Sequence, residues 1–140
     1  MFVDTNILVY ATRRASSFYN ASREALVAAR RSEPRLCISR QIIREYLAVV
    51  TRPQPGIVPF VMSKAIKRVE FFASAVDVLE DGPAVTAILL DLCRDTPTGG
   101  RQIHDANIVA TILAHGERRL LTFNGSDFAR FAPPIEIIQP

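Results

Sequence analysis

Five short apolar runs divide this chain, and the stretches between them carry hydrophobic residues at helical spacing. The runs are Met1-Phe-Val before Asp4, Arg35-Leu-Cys-Ile-Ser39, Val76 to Leu79, Leu120-Leu-Thr-Phe123 and Ile135-Glu-Ile-Ile138. Runs this short, mostly apolar on both sides, read as strands buried in a parallel sheet. Between them, Tyr19 to Arg31 places Ala21, Ala25, Leu26 and Ala29 on one face and Arg23, Glu24, Arg30 and Arg31 on the other. A helix from Arg40 to about Thr51 is capped by Ser39 and stopped by Pro53 and Pro55. Another opens at Pro59 and runs to Phe72, with Val58, Met62, Ile66, Val69 and Phe72 along one side. Asp81 caps a third, from Pro83 to Cys93. Such alternation predicts right-handed β-α-β crossovers. The expected fold is α/β, with a central, mostly parallel five-stranded sheet carrying helices on both faces. At 140 residues, with no repeat or linker, residues 1–140 read as one domain.

The helix from Arg101 to His115, stopped by Gly116, raises the first chemical question. Ile108, Val109, Ile112 and Leu113 form its inward stripe, and Asp105 falls within that stripe one turn earlier. A carboxylate aimed inward is costly unless it is paired or coordinated. Satisfying free N–H groups in the first helical turn is the purely structural alternative.

Ligands of open parallel sheets gather outside the carboxyl ends of the strands, so other acids at that edge matter. Asp4 ends the first run, with Thr5 or Asn6 available to cap the helix that follows. Glu45 lies at the margin of its helix's apolar sector, in line with Gln41. Asp127 lies in the turn after the fourth run, as a candidate ligand or as a turn residue. Asp4, Glu45, Asp105 and Asp127 can therefore meet at one edge. Four neighbouring carboxylates raise one another's pKa unless a cation sits among them. Donors that are all oxygen select Mg²⁺ or Mn²⁺. Two histidines, His104 and His115, and two separated cysteines do not compose a zinc site. A divalent ion among carboxylates can activate water and clamp a phosphate oxygen.

The remaining surface supports a phosphate-bearing partner. Of 17 basic residues only Lys64 and Lys67 are lysine, and arginine forks fit phosphate well. With the four acids gathered in one pocket, 17 basic residues face 10 acidic ones. No Gly-x-Gly-x-x-Gly, phosphate-binding Gly-Lys-Ser/Thr loop or Gly-x-Ser-x-Gly elbow occurs. No run approaches the roughly 20 apolar residues of a membrane span. The acidic, non-basic start argues against a secretory signal. Cys37 and Cys93, inside apolar segments, read as buried thiols of a reducing cytoplasm.

Taken in order, Asp4-Thr-Asn, Glu45 after Ser39, His104-Asp105-Ala106 and Leu120-Leu-Thr-Phe-Asn-Gly-Ser-Asp-Phe128 resemble the PIN-domain ribonucleases. The size is similar to the VapC-type toxins of toxin–antitoxin pairs, and the resemblance covers residues 1 to about 138. It implies a Mg²⁺-dependent endoribonuclease, or one using Mn²⁺, with Asp4 and Asp105 as principal metal ligands. Glu45 would support the metal or its water, and Asp127 would complete the acidic quartet. Thr122, Asn124 and Asn6 would hydrogen-bond water or phosphate at the rim, while His104 reads as a structural histidine. Many relatives place an acid where this chain has Asn124, so either Asp127 supplies that charge or the charge is missing.

The resemblance also implies a homodimer and an antitoxin packed near the active site, for which the Ile42–Val50 and Val58–Phe72 helices are candidate surfaces. Two other functions compete. One is a catalytically silent module binding RNA or protein through the basic surface, which has no reason to aim four anions at phosphate. The other is a DNA-directed metal nuclease or a metal phosphatase.

Overall fold

The computed structural model describes residues 1–132 and 134–140. Each apolar run becomes a strand, shorter than the run itself: β1 (Phe2–Val3), β2 (Cys37–Ser39), β3 (Asp77–Leu79), β4 (Arg119–Leu121) and β5 (Glu136–Ile138). The strands stand in the order β3-β2-β1-β4-β5, and every pairing is parallel, as the alternation of strands and helices predicts. In register, Phe2 faces Cys37 on one side and Leu120 on the other. Phe2, Val3, Ile38, Leu120 and Leu121 are buried, as central parallel strands require.

The connections are helical. Helices α1 (Thr5–Thr12) and α2 (Tyr19–Ser32) link β1 to β2, and α3 (Arg40–Thr51) and α4 (Met62–Ala75) link β2 to β3. Helices α5 (Pro83–Asp95) and α6 (Gln102–Ala114) then lead to β4, and the one-turn α7 (Gly125–Phe128) leads towards β5. The first two crossovers step outward from β1 and the third returns past it. Right-handedness therefore places α1–α4 on one face and α5–α7 on the other. The packing agrees: α1 touches α2 and α3, α3 touches α4, and α6 touches α5 and α7. Strand order reverses between β1 and β4, which opens a crevice at their carboxyl ends.

Local chemistry explains the boundaries. Ser39 accepts a hydrogen bond from the Ile42 N–H and starts α3. Gly116, at φ +73°, ends α6: its N–H reaches Leu113 O and the Glu117 N–H reaches Ile112 O.

Four expectations are corrected. The helix expected from Pro59 begins at Met62, because 54–57 is drawn into a turn bridging Gln54 and Ile57, with Gly56 at φ +70°. Its apolar side is only partly core: Ala65 is buried and Val69 and Phe72 half-buried, whereas Val58, Met62 and Ile66 are exposed. Asp81 does not cap α5, whose N-cap is Gly82. Cys37 is buried as expected; Cys93 is only half-buried.

Candidate active site

Asp4 leaves the end of β1 at the N-cap of α1, but its side chain makes no capping hydrogen bond. Its Oδ2 instead accepts from Thr122 Oγ1 at 2.6 Å and from Asn6 Nδ2 at 2.7 Å. Asn6 Nδ2 also donates to Thr122 Oγ1 at 3.0 Å, and its Oδ1 accepts the Phe123 N–H at 3.1 Å. The hydroxyl of Thr122 receives the Asn124 N–H as well, at 3.0 Å. Residues following β1 and β4 are thus tied together across the switch point.

Glu45, on α3, is oriented from two sides. Thr5 Oγ1 donates to its Oε2 at 2.6 Å, and Gln41 Nε2, one turn earlier on α3, donates to its Oε1 at 2.7 Å. Gln41 is buried and also donates to the His104 carbonyl at 3.0 Å, bridging α3 to α6. Asn107 Nδ2 closes the bridge, donating to Gln41 Oε1 at 2.7 Å and to Asp81 Oδ2 at 3.3 Å. Sequence reasoning missed this bridge. Its signal was a glutamine four residues before Glu45 and an asparagine two residues after Asp105.

Asp4, Glu45 and Asp105 line one open groove of about 1080 Å³, with Asn6 and Asn124 beside them. Asp127 is exposed and is not among the residues lining the groove; it reaches the site through its charge on Asp105. The His104 ring is exposed, so it is not the satisfied internal histidine expected, and its carbonyl is what holds the site.

Burial sets the electrostatics. Asp4 is only 6% exposed. Desolvation pushes its pKa up to about 6, with Glu45 and Asp105 adding to the rise and the Thr122 hydrogen bond opposing it. The carboxyl of Asp105, half-buried, is also raised: by desolvation first, then by Asp127 and Glu45, against Arg130 and His104. Among the described residues, no lysine or arginine forms an ion pair with Asp4, Glu45, Asp105 or Asp127.

Asp4 and Asp105, neither of them in an ion pair, offer hard oxygen donors of the kind Mg²⁺ or Mn²⁺ takes, with the charge of Glu45 near both. Among the described residues no group of three or more acidic, histidine or cysteine side chains is placed to hold a metal ion by itself. An ion here would be held by one or two carboxylates, with water and substrate phosphate completing its shell.

Residues 1–133 match the PIN domain family. Among solved structures, the fold is similar to VapBC2 from Rickettsia felis bound to a promoter DNA fragment, with TM-score 0.74 and 17% identity over 99% of this chain and 97% of that one. It is also similar to Mycobacterium tuberculosis VapC20, a sarcin-ricin loop cleaving toxin, with TM-score 0.70 and 15% identity over 91% and 92%. DNA-bound VapBC from Salmonella typhimurium gives TM-score 0.69 at 20% identity over 99% and 96%. No curated protein matches in sequence.

Proposed function

The chain belongs to the PIN domain family, and from that premise we propose that it is a Mg²⁺- or Mn²⁺-dependent endoribonuclease, the toxin of a toxin–antitoxin pair. The observation that carries the proposal is Asp4: a buried carboxylate beside Glu45 and Asp105, in an open groove, with no cation paired to it. A module that only gripped phosphate would gain nothing from that arrangement. The neighbours named as VapBC toxin–antitoxin structures and as an RNA-cleaving VapC support the toxin reading.

In this reading Asp4 and Asp105 hold the ion, which when bound activates water and neutralises charge on the phosphodiester. Thr122 and Asn6 fix Asp4 so that its orientation does not have to be gained in the reaction. Glu45, held by Thr5 and Gln41, faces the groove as the acceptor for the proton of attacking water. Asn124, at the rim, offers its amide to phosphate oxygens, whereas both Asn6 amide hydrogens are spent on Asp4 and Thr122, and Asp127 supplies supporting negative charge in place of an acid at position 124.

The toxin reading brings a homodimer, an antitoxin partner and a cytoplasmic location into the same proposal. Among the described residues no helix is long and apolar enough to cross a membrane. An exposed apolar strip supports a protein partner: Val58, Val61, Met62, Ile66 and Phe71 all lie at the surface along and before α4. The test is cleavage of purified cellular RNA with Mg²⁺ or Mn²⁺, with and without chelator, by wild type, Asp4→Asn and Asp105→Asn. Undiminished cleavage by either variant, or in chelator, defeats the mechanism.

A further inference from the structure

Three aromatic rings close into a triangle at one end of the groove. Tyr10 and Phe18 have centroids 5.0 Å apart, Phe18 and Phe123 4.9 Å, and Tyr10 and Phe123 5.5 Å, none of the pairs coplanar. Tyr10 and Phe18 line the groove itself. Phe18, which precedes α2, remains 45% exposed with both neighbouring rings in place. The cluster is one residue away from the carboxylates, because the Phe123 N–H is held by Asn6, whose amide holds Asp4.

Along the same groove lie Arg13, Arg14, Arg52, Lys64 and Arg68, none of them ion-paired among the described residues. Arg13 and Lys64 are steadied over the Phe60 ring, at 5.1 and 4.1 Å from its centroid. Asn6, Tyr10 and Arg13 succeed one another along one face of α1 and just beyond it, so acid support, ring and cation are in sequence on one surface. Unpaired cations leading to an exposed ring complement a polyanion that also carries flat apolar groups.

Resting on the nuclease reading above, we infer that Tyr10, Phe18 and Phe123 form a stacking platform for one unpaired nucleobase next to the phosphate to be cleaved. Phe18 supplies the face, Tyr10 and Phe123 hold its tilt, and the cations follow the backbone away from the carboxylates. A base inside a duplex cannot reach such a face, so the substrate presents a loop or single-stranded segment at the cleavage point.

The probe is a single-stranded RNA octamer carrying one 2-aminopurine, mixed with the protein in chelator so that binding is read without cleavage. Wild type quenches the fluorescence. Phe18→Ala loses the quench and binds roughly 5- to 150-fold more weakly, the range of one base–aromatic stack, whereas Phe18→Trp retains both. Replacing the reporter with an abasic site weakens wild type by a similar factor and leaves Phe18→Ala unchanged, a coupling that a structural role for Phe18 would not produce. Wild-type affinity and quench in Phe18→Ala overturn the platform, as does a loss confined to binding of a second protein. The two readings separate in parallel assays with metal. RNA cleavage with kcat/KM unchanged in Phe18→Ala removes the platform alone, whereas quenching without any metal-dependent cleavage removes the nuclease reading alone.

Discussion

The hydroxyl of Thr122 donates to the carboxylate of Asp4 at 2.6 Å across 118 residues of sequence, and both residues are buried. That bond joins the two strands flanking the switch point and partly offsets the desolvation of the acid. Its removal is therefore informative. Thr122→Val keeps the shape but leaves Asp4, Asn6 and the Asn124 N–H each short of a partner. We expect a loss of about 1–3 kcal/mol in a urea unfolding series. The Asp4 titration should also move further upward, read from the pH dependence of stability.

Asp4 itself sets a pH dependence. Its folded pKa of about 6 lies above the ordinary 3.8, so the native state holds the proton more tightly than the unfolded chain. Stability without metal should accordingly fall as pH rises from about 4 through about 6, by up to roughly 3 kcal/mol. Asp4→Asn should flatten that slope and be the more stable protein at pH 7.5, while the two converge near pH 4. Equal slopes in wild type and Asp4→Asn would contradict the burial argument.

Metal should reverse the sign at neutral pH. Mg²⁺ binding to the native site raises the unfolding midpoint of wild type with the logarithm of ligand concentration above Kd, and the gain should vanish in Asp4→Asn. Because the ion competes with the proton on Asp4, its apparent affinity should weaken as pH falls below about 6, approaching tenfold per unit. Titration calorimetry at pH 7.5 and 5.5 checks this.

Gln41 is the junction between α3 and α6. Gln41→Met fills similar space but frees Glu45 Oε1, the His104 carbonyl and Asn107. The expected cost is about 1–3 kcal/mol of stability. Cleavage should fall through kcat with KM little changed, because Glu45 loses one of its two orienting partners. An Asn107→Ala double-mutant cycle should show coupling, since the two side chains share one hydrogen bond.

On the outer strip, Val58 is 84% exposed and Val61 68%. Val58→Asp and Val61→Lys should leave stability within about 0.5 kcal/mol. If this strip is a protein interface, the same changes should abolish the association, visible as a smaller species by size-exclusion chromatography with light scattering.

Much of this was legible in residue order alone. Strand positions, the Ser39 cap, the Gly116 stop and the alternation that forces a parallel sheet are local signals, written in spacing and in the conformational limits of single residues. Asp4, Glu45 and Asp105 could be nominated as a set, because each alone also had a structural reading but the alternation of strands and helices brings all of them to one edge of the sheet. Other matters had no local signal strong enough to decide them. Whether Val58, Met62 and Ile66 face the core or solvent depends on where α4 lies against α3. The grip of Gln41 and Asn107 on the site exists only once two helices from opposite faces of the sheet meet over its edge. Distinguishing Asp127, which acts from outside, from Asp105, which lines the groove, takes the position of α7. Hydrophobic period and capping chemistry act over a few residues, so sequence carries them directly. Desolvation and charge coupling act through space, and only the closed fold decided which carboxylates would be left dry, adjacent and without a counter-charge.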